Sequence, residues 1–134
     1  MILGLGLDVV EAGRLERAVS RHGDRFLEEI LGGVEIDRFR RTPRFIHGCA
    51  TAFAAKEALF KALGTGRAGK LSWHDVDVDG SPPAPCLRLV GEAERRAREL
   101  GVRRVFLSLA GSGDLAVAMV VLEGVPPPAG QGRG

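Results

Sequence analysis

Tyrosine is absent from this sequence, tryptophan occurs once, and aromatic residues make up only 5% of the chain. A chain so short of aromatic rings does not build the base-stacking surfaces that read single-stranded RNA. Charge of one sign is not in excess either. The 19 basic and 17 acidic residues leave a formal net charge of +2, too small for bulk nucleic-acid binding, so no nucleic-acid partner is expected. The two cysteines, Cys49 and Cys86, fit neither a disulfide framework nor zinc-ligand spacing. They read as reduced thiols of a cytoplasmic protein. Long apolar runs are also missing. The opening MILGLGLDVV lacks a basic leading region and is interrupted by Asp8, so it reads as a buried strand rather than a signal peptide. No run approaches membrane-spanning length, so no membrane association is expected.

What is present suits one soluble domain with one modest core: 134 residues, 45% hydrophobic and 27% charged. Residues 2–10 read as a strand in which Gly4 and Gly6 permit close backbone approach. GRLERAVSRHG reads as a helix closed by Gly23, and DRFLEEIL as a second helix with Asp24 as its N-cap and Gly32-Gly33 as its stop. VEIDRFRR is a short third helix ended by Thr42-Pro43, and a long helix spans about Ile46 to Leu63. SWHDVDVDG and CLRLV follow as strands, GEAERRAREL as a helix stopped by Gly101, and RRVFLSLA with LAVAMVVLE as strands of a hairpin joined by GSGD. GVPPPAGQGRG reads as a disordered tail, leaving residues 1–123 as a single domain. The strands and helices do not alternate strictly, which predicts an α+β fold.

The long helix poses the chemical question. In AFAAKEALFKALGTG, residues 52–66, Lys56 sits amid Ala52, Ala55, Leu59 and Leu63 on one side and Phe53 and Phe60 on the other. A cation on an apolar stripe is costly unless its head reaches water or a partner. One reading lets Lys56 snorkel to solvent, with Glu57 and Lys61 as an i,i+4 surface pair. The other begins from Asp8, a carboxylate at the end of a core strand. Asp8 could simply start the following helix. Paired with Glu57 it would instead hold Mg²⁺, which commonly takes one or two carboxylates plus water and phosphate oxygens. Lys56 and Lys61 would then face those phosphates, and the greasy side would border a substrate cleft.

Gly64 to Lys70 spells G-x-x-x-x-G-K, but Leu71 replaces the Mg²⁺-binding Ser or Thr of a P-loop and the segment follows a helix, not a strand. Gly64 and Gly66 can offer backbone N–H groups to an anion, with Arg67 and Lys70 nearby, while Gly64 also suits a helix stop. Arg14, Arg17 and Arg21 stripe one helix face, either as solvent decoration or as a dock for an acidic or phosphate-bearing partner. His22, His47 and His74 lie in separate elements without ligand spacing, and Ser108 lacks a nucleophile elbow.

Three stretches together resemble a known family. ILGLGLDVVEAGRLE, FAAKEALFKALGTG and VFLSLAGSGDLAVAMVVLE are similar, in order, to the N-terminal motif, the signature and the C-terminal hairpin of the holo-[acyl-carrier-protein] synthases, a class of 4′-phosphopantetheinyl transferases. The resemblance implies a small antiparallel sheet packed by a long central helix and shorter helices. It implies transfer of 4′-phosphopantetheine from coenzyme A to a serine of apo-acyl-carrier protein, releasing adenosine 3′,5′-bisphosphate, in support of fatty-acid or polyketide synthesis. It also implies Mg²⁺ on Asp8 and Glu57, pyrophosphate contact by Lys61, a nucleotide loop at Gly64, Thr65 and Gly66, carrier docking at Arg14, and a homotrimer with sites between subunits. The general base is open between Glu57 and a metal-held water. Two positions depart from the pattern. Ala52 stands where many members have arginine, and Gly111 where many have histidine. The alternative they leave is a silent relative that binds carrier protein or nucleotide only.

Overall fold

The computed structural model describes residues 1–64, 71–80 and 83–130. In chain order the elements are β1 (Ile2–Glu11), α1 (Ala12–His22), α2 (Asp24–Ile30), α3 (Gly33–Arg40), α4 (Phe45–Leu63), a 3-10 turn (Trp73–Asp75), β2 (Val76–Asp79), β3 (Cys86–Leu89), α5 (Gly91–Leu100), β4 (Val102–Ser112) and β5 (Leu115–Gly124). The strands form an antiparallel sheet of order β1-β5-β4 and a separate β2-β3 ribbon. The expected α+β architecture is observed.

The sheet has two faces because side chains alternate along a strand. Ala116, Ala118, Val120 and Leu122 of β5 are fully buried against the core. Between them, Leu115 and Met119 are exposed, as are Leu5, Leu7 and Val9 of β1 and Phe106 of β4. Helix α4 packs across the buried face. It is apolar nearly all round, the pattern of a helix enclosed by its neighbours. Its alanines at 50, 52, 54, 55 and 58 have no exposed surface, and their small side chains let sheet and helices approach closely on every side.

Some local expectations are corrected. Asp24 is the first residue of α2, and no side chain caps that helix. Gly23 alone separates α1 from α2: its positive φ (71°) is one that L side chains rarely adopt, and its N–H donates to the Val19 carbonyl at 2.7 Å. The chain turns too tightly there to leave Asp24 outside the helix. The segment expected as one strand from Ser72 opens instead with the 3-10 turn, because Ser72 Oγ accepts from His74 N–H and Asp75 accepts from Ser72 N–H. At the far end, β5 runs through Gly124, whose N–H donates to Met1 at 3.0 Å, and Val125 N–H donates to Gly101. The first two residues assigned to the tail are therefore tied to the fold. Cys49 is fully buried, and burial pushes its thiol up to about 12, while Cys86 is exposed. Burial thus disfavours the reactive thiolate form at Cys49.

Candidate active site

Gly4, Gly6 and Asp8 share the α4-facing side of β1, as period-two alternation requires. A Cβ on Gly4 would lie 2.1 Å from the Ala62 carbonyl oxygen, and one on Gly6 would lie 1.8 Å from that of Ala58. The strand therefore lies directly on the helix backbone. Two strand residues advance about as far as four helix residues, so the contacts stay in step: Gly4 meets Ala62, Gly6 meets Ala58, and Asp8 reaches the preceding turn, which carries Glu57. The glycines thus set the distance between the two carboxylates' elements.

Asp8 and Glu57 line one open cavity of about 680 Å³, together with Glu11, Arg14, Phe26 and Phe53. Lys61, in the last turn of α4, reaches back to the strand. Its Nζ donates to Asp8 Oδ1 at 2.8 Å and to the Leu7 carbonyl at 3.1 Å. The hydrogen bond to Asp8 holds the ammonium above the ordinary lysine range, and the charges of Asp8 and Glu57 add to the effect. Three carboxylates (Asp8, Glu11 and Glu57), the Arg14 guanidinium and two aromatic walls thus converge from β1, α1, α2 and α4, with Lys61 held on Asp8. Among the described residues no group of three or more His, Cys, Asp or Glu is placed to hold a metal. The chain offers a pair of hard oxygen ligands, which suits a cation that completes its shell with water and phosphate oxygens and does not suit a structural zinc.

Lys56 is not part of this cavity, and its expected place beside phosphates is corrected. Its side chain is fully buried. Its Nζ donates to Glu35 Oε1 at 2.7 Å, to the Ile30 carbonyl at 2.9 Å and to the Trp73 carbonyl at 3.0 Å. An ammonium has three protons, and all three are spent inside the protein. Glu35, 2% exposed, is the partner that sequence reasoning missed. Its carboxylate also accepts from Gly32 N–H and Val78 N–H. Nothing in the local spacing points to it, because the two residues lie on different helices, 21 positions apart.

Arg14, Arg17 and Arg21 are all exposed along α1, and Arg14 stands at the cavity edge. The start of this helix is held by the hairpin turn, another unforeseen contact: Asp114 accepts from Gly13 N–H through Oδ1 and from Ala12 N–H through its carbonyl. Gly64 is the left-handed stop of α4 (φ 78°), donating to the Lys61 carbonyl. Thr65 and Gly66, with Arg67 and Lys70, lie outside the described residues. Ala52 is fully buried. A Cβ at Gly111 would lie 3.1 Å from His47 Nε2, so an imidazole from α4 stands beside the hairpin position at which a histidine is missing.

Comparison with known proteins gives a consistent result. A family profile described as the 4′-phosphopantetheinyl transferase superfamily matches residues 4–120. A holo-[acyl-carrier-protein] synthase of Koribacter versatilis is 42% identical over 124 residues, covering 92% of this chain and 99% of the relative. The crystal structure of the Neisseria meningitidis synthase superposes with a TM-score of 0.83 at 34% identity, covering 92% of this chain and 99% of that one. The Helicobacter pylori synthase, solved in complex with coenzyme A, gives a TM-score of 0.77 at 31% identity over 89% and 99% of the two chains.

Proposed function

The chain belongs to the 4′-phosphopantetheinyl transferase superfamily, and from that membership we propose an Mg²⁺-assisted holo-[acyl-carrier-protein] synthase reaction centred on Asp8 and Glu57. The enzyme transfers 4′-phosphopantetheine from coenzyme A to a serine of apo-acyl-carrier protein and releases adenosine 3′,5′-bisphosphate. The observation that carries the residue assignment is that Asp8 and Glu57 line one open cavity while Lys61 is hydrogen-bonded to Asp8.

The reaction asks for charge neutralisation and alignment above all. A serine oxygen attacks the β-phosphorus of coenzyme A, and the pyrophosphate bond to the nucleotide breaks. Asp8 and Glu57 would hold Mg²⁺, which supplies Lewis-acid neutralisation of the phosphoryl oxygens. Lys61, on its exposed arm, offsets charge on the departing bisphosphate. The serine proton would go to Glu57, which lines the same cavity, or to water in that cavity. Phe26 and Phe53 offer an apolar wall to the pantetheine arm. Arg14, Arg17 and Arg21 suit the acidic surface of a carrier protein and act mainly on association rate.

The test is direct. Apo-carrier protein incubated with the enzyme, coenzyme A and Mg²⁺ should gain the mass of one phosphopantetheine group. A chelator should stop the transfer and added Mg²⁺ should restore it, while rising salt should raise KM for the carrier. No mass gain with any of several carriers would favour the silent relative, and chelator-resistant transfer would remove the metal from the mechanism.

The oligomeric reading is also a homotrimer. It is supported by the outer face of the β1-β5-β4 sheet, where Leu5, Leu7, Val9, Phe106 and Met119 are 41–62% exposed. A contiguous apolar face of this kind is costly to leave in water and marks an association surface. Leu7→Glu should therefore shift the solution mass, measured by light scattering, from three chains toward one. An unchanged mass would remove this sheet face from the interface.

A further inference from the structure

The contact between Lys61 and Asp8 has two unlike partners. Asp8 is fixed on a strand with its side chain 17% exposed, while Lys61 is a four-carbon arm with half of its surface (51%) in water. The ammonium is hydrogen-bonded to the carboxylate that would also help to hold a divalent cation between Asp8 and Glu57. Mg²⁺ requires its oxygen ligands at about 2.1 Å. A cation at that distance and an ammonium on the same carboxylate would lie within a few ångströms of each other and repel.

Building on the metal-site reading above, we infer that Lys61 is a displaceable counter-ion: its ammonium competes with the divalent cation for Asp8 and yields when the diphosphate of the cosubstrate draws it away. The exchange is easy on the lysine side. The arm is long and solvated, its second acceptor is a backbone carbonyl that water can satisfy, and phosphate oxygens are strong acceptors for an ammonium. The consequence is ordered assembly. The cation binds weakly while Lys61 holds Asp8, and binds more tightly once coenzyme A has engaged the lysine. By linkage, the cation tightens coenzyme A by the same factor. Lys61 thereby discourages a cation from occupying the carboxylates without its phosphate ligands.

Mn²⁺ binding, followed by water-proton relaxation in the absence of coenzyme A, tests this without relying on turnover. Lys61→Met removes the competitor from an exposed position and should bind Mn²⁺ about two- to fivefold more tightly than the wild type, the equivalent of one exposed ion pair. Asp8→Asn should abolish binding. With coenzyme A added, Mn²⁺ affinity should rise more in the wild type than in Lys61→Met. Equal or weaker binding by Lys61→Met, with Asp8→Asn still abolishing it, would overturn the competition and leave the metal site standing. Binding by Asp8→Asn as in the wild type, or none by either the wild type or Lys61→Met, would overturn the metal site and the competition with it.

Discussion

Lys56→Met should lower the unfolding free energy by about 3–5 kcal/mol, the usual cost of removing one partner of a buried ion pair. The ammonium is desolvated, and burial pulls it below the ordinary lysine range while the hydrogen bond and charge of Glu35 pull it back. Methionine fills similar space but leaves the Glu35 carboxylate in the interior without its cation. It also takes the proton away from the carbonyls of Ile30 and Trp73. Those acceptors belong to the C-terminal end of α2 and to the 3-10 turn, and Glu35 itself reaches Val78 of β2, so the loss is shared by every element packed on that side of α4. Domains of this size are stable by only about 5–15 kcal/mol. Urea unfolding checks the figure, read as a lower midpoint at unchanged slope. The double variant Lys56→Met/Glu35→Gln should recover part of the loss, because no uncompensated charge remains. A loss of less than about 1 kcal/mol in the single variant would mean that the pair does not organise the core.

Gly6→Ala should cost at least about 3 kcal/mol and cut transfer by more than about 100-fold. The new methyl carbon would sit 1.8 Å from the Ala58 carbonyl oxygen, a backbone atom that cannot rotate aside. Strand and helix must separate by more than about 1 Å to restore ordinary contact, and displacement on that scale at a reacting centre is worth about two orders of magnitude in rate. Asp8 is two residues along the same face, so the separation is transmitted to the carboxylate pair and to the Lys61 contact. Gly33→Ala is the control. That glycine begins α3 without a left-handed backbone, and nothing lies within 4 Å of its added Cβ, so it should be neutral or gain up to about 1 kcal/mol. Full activity in Gly6→Ala would show that the strand has slack against the helix and would remove the close-approach argument.

Much of this molecule was legible before its structure. The order of elements follows from periodicity and glycine stops, whereas ILGLGLDVV, which reads as a buried strand, is buried on one face only and leaves Leu5, Leu7 and Val9 exposed on the other. Asp8, Glu57 and Lys61 could be singled out because a carboxylate interrupting an apolar strand, and an acid and a lysine one turn apart beside a glycine stop, are local features. Even the reason Asp8 meets α4 is written in the period-two series Gly4, Gly6, Asp8. One misreading was local in origin. Asp24 resembles a helix cap only if the chain leaves room for one, and Gly23 does not.

Lys56 marks where the sequence stops determining the answer. Its position on the greasy side of α4 follows from 100° per residue, and that position makes it costly to bury alone. Whether it would reach water, a phosphate or a buried acid depended on what packs over that side. Glu35, Ile30 and Trp73 are brought there by chain segments 17 to 26 residues away, and no helical or strand period links such distant residues. Tertiary packing alone decided that this ammonium pairs with Glu35 inside the core while Lys61, five residues further along, turns toward Leu7 and Asp8 of the strand.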